Sequence, residues 1–367
     1  MQQATRSMQK EVDRSLGRLA KGGAVKEGAP NARYDAVEVL RVLVYTAMLR
    51  TFVESAVSRL KYVWGSTVPD ADTVFRRLRL NGEGAVRALV EFNRELVRRA
   101  RSEGWLRRPV VVAIDMWDRE YYGKNRDVNC SAGKEKNGTM YFHRVATLAI
   151  VEHGKRLEVA MIPVSLFARK ELVVGALLTE AMGFAKIKLV LLDRGFNSAS
   201  VIRTIESLGL RYVMPMIKNK RVKREIATAS HLWFAIVQSY QFRLNADVRV
   251  ALIILHTELY GKKTKDSYLA YITNLRVLDT KESVLAIARL YEARCGIETG
   301  YRIKKCEFRA KTCSESTAVR FFFILLAIIL YNIWTLLRFS EPNHFKNGIS
   351  ASIFSEAYIQ FVRASTA

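Results

Sequence analysis

Cysteine is scarce in this chain: four residues in 367, Cys130, Cys295, Cys306 and Cys313. No two form a C-x-x-C pair, so neither a disulfide framework nor a thiol zinc site is expected, and the cysteines read as reduced, in a cytosolic setting. The five histidines are equally scattered and supply no zinc constellation. Six prolines and 20 glycines are too few and too dispersed for a collagen-like or low-complexity chain. Acidic residues are the minority, 35 against 59 Lys and Arg, a formal charge of +24. The 50% hydrophobic content excludes a disordered tail. The N-terminal stretch MQQATRSMQKEVDRSLGRL lacks an apolar core, so no secretory signal is expected. One long apolar run exists, Phe321–Leu337, near the lower limit of a membrane span. It contains Asn332 and Thr335 and closes a long soluble pattern, so a buried core helix is expected and no membrane partner. The excess of positive charge points to polyanionic partners.

Residues 1–106 read as a helical domain. Asp35–Arg50 has apolar residues at helical spacing. A break, WGSTVPD, follows, and then DADTVFRRLRL, with Asp70 or Asp72 able to cap it. Two helices joined by a short turn, the second carrying Arg76 and Arg77, fit a small DNA-binding module as well as they fit any basic amphipathic pair. From 107 to 217 the pattern changes. Val110–Asp115 is a strand ending in a carboxylate, and Met140–Glu152 with Arg156–Ser165 forms an antiparallel hairpin. A helix over Lys170–Gly183, a strand over Ile187–Asp193, a helix over Ser198–Leu208 and a strand over Arg211–Ile217 follow. The order β-β-β-α-β-α-β predicts an α/β (α+β) class with a mixed sheet. Residues 218–280 read as a β-rich insertion opened by a basic loop, Lys218–Arg224. Residues 281–340 read as one long helix to about Lys311 and then the apolar helix; 341–367 is a tail.

Three carboxylates stand out. Asp115 and Asp193 end strands, where chemistry collects in open α/β sheets, and Glu298 lies on the long helix after the insertion. Together they make an oxygen-only ligand set that suits Mg²⁺. Each has a plainer reading: an Asp after a strand often caps the next turn, Asp118 competes with Asp115, and a lone helical Glu is usually solvated. Tyr291, Arg294, Glu298 and Lys305 fall within about 60° of one another on a straight helix. That face suits phosphate plus metal, and it equally suits an ion-paired surface helix with an Arg294–Glu298 pair.

The spacing Y-x2-R-x3-E-x6-K at Tyr291, Arg294, Glu298 and Lys305, with VAID at Asp115 and LLDRGF at Asp193, resembles the DDE transposases of insertion sequences, which have an RNase H-like catalytic core. The likeness extends to Glu120-Tyr-Tyr-Gly123 and to the hairpin TLAIVEHGKRLEVAMIPVS, and covers roughly 109–340; Tyr121 and Tyr122 depart from it where a proline is expected. The resemblance implies that Asp115, Asp193 and Glu298 form a catalytic triad holding two Mg²⁺ ions, with Mn²⁺ able to substitute. It implies that Tyr291, Arg294 and Lys305 contact the transposon end, and that the partners are double-stranded DNA, at transposon ends and target, and a second copy of the chain in a homodimer on DNA. The place of action would be the cytoplasm, at the nucleoid. Relatives often use a tryptophan of the insertion to receive a flipped base. Trp233 is the candidate here, although a large aromatic at such a position reads first as core. Lys218, Lys220 and Arg221 of the basic loop are expected beside the DNA channel.

The expected activity is cleavage at terminal inverted repeats and joining of the 3′-OH ends to target DNA. The rival readings are an RNase H-like nuclease that cuts without joining, and a domesticated DNA-binding protein, which would be expected to have lost a triad carboxylate.

Overall fold

The structure, a computed structural model, describes residues 2–65, 67–152, 154–243, 246–261, 267–340 and 349–366. Turn position 153, parts of the insertion (244–245 and 262–266) and the Pro/Asn/Gly break at 341–348 lie outside the described residues.

Five helices precede the sheet: α1 (Gln2–Lys21), α2 (Ala36–Met48), α3 (Val53–Ser58) continued by a π-helical turn at Arg59–Val63, α4 (Ala71–Asn81) and α5 (Glu83–Ser102). Asp35 starts α2 with a capping box. It accepts from the Glu38 amide at 2.7 Å, while Glu38 accepts from the Asp35 amide at 2.8 Å. Asp70 precedes α4 without a side-chain cap bond; it pairs with Lys61 of the π-helical turn.

The strands are β1 (Val110–Glu120), β2 (Cys130–Lys136), β3 (Thr139–Ile150), β4 (Glu158–Val164), β5 (Ile187–Leu192), β6 (Tyr212–Pro215), β7 (Phe234–Arg243), β8 (Ala246–His256) and β9 (Tyr268–Thr273). Helices α6 (Lys170–Met182), α7 (Ala199–Ser207) and α8 (Lys220–Thr228) lie between them. Helices α9 (Lys281–Glu292), α10 (Cys295–Glu307), α11 (Thr317–Ser340) and α12 (Ala351–Thr366) follow. All strands join one nine-stranded sheet in the order β2-β3-β1-β5-β6-β9-β8-β7, with β4 on β3. The inner order β4-β3-β1-β5-β6 has β3 antiparallel to both its neighbours and β1, β5 and β6 parallel. This is the mixed sheet expected of an RNase H-like core. The strands β9, β8 and β7 continue the sheet antiparallel from β6.

Two boundaries differ from the sequence reading in ways that bear on function. β1 does not stop at Asp115. Its parallel pairing with β5 ends at Ile114↔Leu192, but its antiparallel pairing with β3 runs on to Glu120. The continuation buries Trp117 and Arg119 on alternate positions, so the period-2 signal is carried by one aromatic and one charged residue. The predicted single helix from 281 is broken at Ala293–Arg294, where α9 ends and α10 begins. The angular argument that put Tyr291 on one helical face with Glu298 therefore does not carry across the break.

The apolar helix α11 packs against α5, α10, α2, α4 and the β3–β4 hairpin, and its apolar window is wholly buried, as expected of a core helix. Its one asparagine anchors a buried polar junction. Asn332 Nδ2 donates to Asn93 Oδ1 of α5 at 2.7 Å and to the Glu158 carbonyl at 2.8 Å, and Asn332 Oδ1 accepts from the Glu158 amide at 3.0 Å. The Glu158 side chain is 1% exposed and pairs with Lys304 of α10, which is fully buried among the rings of Trp117, Tyr301 and Tyr331. This junction ties α5, α10 and α11 to β4.

Candidate active site

Register sets the site. Ile114 of β1 pairs with Leu192 of the parallel β5, so Asp115 and Asp193 follow side by side on neighbouring strands, about 4.8 Å apart in the pairing direction. Asp115 still pairs across β3 with Thr147, whose Oγ1 lies 2.8 Å from the Tyr301 hydroxyl of α10. Gly296 and Gly300 let α10 approach this closely. A Cβ on Gly296 would meet Val151 Cβ at 3.1 Å, and one on Gly300 the Tyr331 hydroxyl at 3.3 Å.

Arg294, at the break before α10, is buried and reaches all three carboxylates. Its Nη2 donates to Asp115 Oδ2 at 2.7 Å and stands 4.0 Å from Asp193 Oδ2, while Nη1 donates to Glu298. The structure thus brings Asp115, Asp193, Glu298 and Arg294 together from three distant stretches of chain. The plainer readings of these residues also hold: Asp193 accepts from the Arg194 amide at 2.5 Å and caps a 3₁₀ turn, and Arg294–Glu298 is an i,i+4 pair. Asp115 is mostly buried. Burial pushes its carboxyl up to about 6 against the opposing pull of Arg294, and the nearby charges of Asp193 and Glu298 add to the rise. Asp193 and Glu298 are half-exposed, at 46% and 57%.

A cleft of about 440 Å³ opens beside the two aspartates. It is lined also by Asp118 and Arg144, bonded to each other at 2.8 Å, and by Lys170, whose ammonium donates to the Gly195 carbonyl at 2.7 Å. Asp118 thus has its own partner and does not compete for Arg294. Lys170 beside Asp193 was missed, because a lone lysine opening a helix carries no sequence signal. Lys304 and Glu158 were missed too, although Lys304 adjoins the Lys305 of the signature.

The remaining predicted contacts divide. Tyr291 packs tilted against Tyr271, ring centroids 5.3 Å apart, and burial raises its phenol above the ordinary value. Lys305 lies two turns of α10 beyond Glu298. Burial lowers its pKa, and its charged neighbours are Lys136, Glu120, Arg309 and Asp118 rather than the triad. The segment Lys218–Arg224 is not a loop. Asn219 caps α8, accepting from the Val222 amide at 3.0 Å. On it Lys220 is exposed and Arg221 lies over the Tyr240 ring, while Lys218 donates to the Tyr268 carbonyl at 2.5 Å. Trp233 is not core: it is 56% exposed and packs edge-on to His256. On α4, Arg76 is exposed, but Arg77 is buried and donates to the Tyr34 carbonyl at 2.5 Å. Arg77 is therefore a strut between α4 and the chain before α2, and its side chain is not on a DNA-facing surface.

The atoms that Asp115, Asp193 and Glu298 offer a ligand are all carboxylate oxygens, which suits a hard divalent cation. Among the described residues no three His, Cys, Asp or Glu side chains already form a cation cage. Three carboxylates around one guanidinium leave negative charge in excess, so the donor set fits such a cation.

Comparison with known proteins follows the same lines. Residues 167–333 match the family described as the transposase DDE domain. No curated protein matches the chain. Among solved structures, the cryo-EM structure of the piggyBac transposase synaptic complex with hairpin DNA is similar, with a TM-score of 0.60 and 12% identity, covering 92% of this chain and 73% of that one. That likeness is one of fold. The stretch 167–333 that is similar to the transposase DDE domain holds Asp193, Arg294 and Glu298.

Proposed function

We propose that the protein is a DNA transposase that cuts at the ends of its element and joins the freed 3′-OH to target DNA, working as a dimer on two DNA ends. The observation that carries this reading is the convergence of Asp115, Asp193 and Glu298 on one buried guanidinium where the parallel pairing of β1 with β5 ends. The similarity of 167–333 to the transposase DDE domain supports it.

In this reading Asp115 and Asp193 hold Mg²⁺ or Mn²⁺, with Glu298 completing the donor set. Bound there, two such ions supply activation of the attacking oxygen and stabilisation of the leaving one. The chain's own residues do the rest. The parallel register fixes Asp115 against Asp193. The break before α10 places Arg294 where its guanidinium can shift from carboxylate to substrate phosphate, for which its planar fork is suited. Glu298, half-exposed, is free to follow. Exposed Lys220 and Trp233 lie on the insertion side and serve the DNA path; Trp233, with its accessible face, is the residue able to stack on an unpaired base.

The test is cleavage of a labelled fragment spanning the element's genomic boundary, with Mg²⁺, Mn²⁺ or EDTA, for wild type, Asp115→Asn and Glu298→Gln. Metal-dependent cutting at the boundary, lost in both variants while DNA binding persists, is expected. Joined product in a strand-transfer assay separates a transposase from a nuclease that only cuts. Cutting at the wild-type rate by either variant removes that residue from the triad.

A further inference from the structure

A cationic site lies at the C-terminal end of β1. Arg119 follows Asp115 by four residues on the same strand face, about 13 Å away at strand rise, and lines a pocket of about 490 Å³. Arg119 is 6% exposed; its Nη2 donates to the Ala310 carbonyl at 2.8 Å, while Nη1 is buried without a hydrogen-bond partner among the described residues. Such an orphaned charged donor is costly. Arg309, Lys311 and Arg320 line the same pocket, against two carboxylates, Glu120 and Glu315. Glu120 is already engaged, by Asn137 Nδ2 at 2.9 Å and by Arg309 at 3.6 Å. Burial together with the charges of Arg309 and Arg320 pulls the Arg119 pKa down to about 9. Four cations thus face two carboxylates, one of them already paired with Arg309, which leaves positive charge in excess, and Tyr122, 64% exposed, stands at the rim.

We propose that this pocket seats a backbone phosphodiester of the DNA strand that enters the active site, with Arg119 as its buried donor and Arg309 and Lys311 as its rim. The proposal rests on the DNA reading above. Position favours a polymer phosphate over a free anion. The pocket is in line with Asp115 along one strand, and Lys305 bridges the interval, with Glu120 and Arg309 among its charged neighbours. The interval is about four nucleotides at ~3.4 Å of rise each.

The experiment measures binding of a short fluorescent duplex of arbitrary sequence by anisotropy across a salt series. It compares wild type, Arg119→Met and the rim variant Arg309→Ala/Lys311→Ala, with thermal unfolding as the check on folding. Arg119→Met removes a charge that is not on the surface, so a loss there is not a general surface-charge effect. Binding about tenfold weaker, with a salt slope smaller by about one, is expected in each folded variant. If Arg119→Met does not fold, the rim variant decides. Folded variants with wild-type affinity and slope overturn the pocket while leaving the DNA reading intact. A wild type that shows no salt-sensitive binding overturns that reading and this one with it. Inorganic phosphate that raises the wild-type melting temperature, alongside unchanged DNA binding in the variants, assigns the pocket to a free anion and also overturns the proposal.

Discussion

Replacing Lys304 by methionine is the sharpest perturbation the fold offers. The lysine is 0% exposed and its ammonium pairs with a Glu158 carboxylate that is 1% exposed. Burial pulls the lysine pKa down and Glu158 opposes that pull. Methionine keeps the apolar packing against Trp117, Tyr301 and Tyr331 but leaves Glu158 charged and alone, its other oxygen already lacking a hydrogen-bond partner. Breaking a buried pair in this way costs about 3–5 kcal/mol, whereas neutralising both members is often close to neutral. Lys304→Met should therefore lose about 3–5 kcal/mol near neutral pH, Glu158→Gln a comparable amount, and the double variant much less than the sum of the two. Urea unfolding followed by tryptophan fluorescence reads this out, with Trp117 beside the lysine as a local probe. The Lys304→Met deficit should also shrink with acid. An unpaired buried carboxylate takes up its proton in the folded state before the unfolded chain does, so the folded form gains as pH falls toward about 4–5. A Lys304→Met variant within about 1 kcal/mol of wild type at neutral pH, with a deficit that does not change with pH, refutes the reasoning.

Other expectations follow from single environments. Arg77→Ala should cost about 2 kcal/mol by freeing the chain before α2, and Arg76→Ala less than about 0.5 kcal/mol; equal effects in a denaturation series would remove Arg77's strut role. His143 is 1% exposed, and burial with the charge of Arg320 pulls its pKa down to about 4. Between pH 6.5 and 4 the unfolded chain binds a proton that the folded one refuses, so this contribution, about 3 kcal/mol, is present above pH 6.5 and lost toward pH 4. The melting temperature of His143→Phe should decline less over that window than that of wild type. Trp233→Ala should leave the melting temperature unchanged while weakening binding of single-stranded DNA about tenfold; a large thermal shift would mean the ring is structural after all.

What was legible follows from what is local. The strands Ile187–Leu192 and Tyr212–Pro215 and the β3–β4 hairpin are continuous apolar runs between turn signals, and they stand where the pattern put them. β2, Cys130–Lys136, is polar and has little strand propensity; it forms because the edge of β3 offers it a ladder. The Lys218–Arg224 error was avoidable, since Asn219 is a good N-cap and Val222 the one apolar anchor of α8. The break at Ala293–Arg294 was not. Gly296 in YEARCG weakens a helix by about 1 kcal/mol without locating a break, and a Cβ there would meet Val151 at 3.1 Å. In the site, spacing gave the Arg294–Glu298 pair, but the bond from Arg294 to Asp115 spans 179 residues and that from Lys304 to Glu158 spans 146. Only the assembled sheet creates either.

The question left open by spacing was whether Arg294 and Glu298 make an ordinary surface pair or part of a reactive centre. The electrostatics favour the second. In an ordinary pair the guanidinium lowers its carboxylate's pKa. Here Asp115, hydrogen-bonded to Arg294 at 2.7 Å, is nonetheless raised to about 6, because burial and two further carboxylates outweigh one cation. Arg294 itself is only 10% exposed at its side chain, too buried for a solvated surface pair. A fold selected for stability alone would gain by deleting the Asp115 carboxylate, since a mostly buried charge that its one cation does not offset is a cost. The cluster makes physical sense when a further cation and a phosphate enter it, the cation meeting the carboxylates and the phosphate drawing Arg294 away from them. That exchange of partners is the chemistry the triad reading requires.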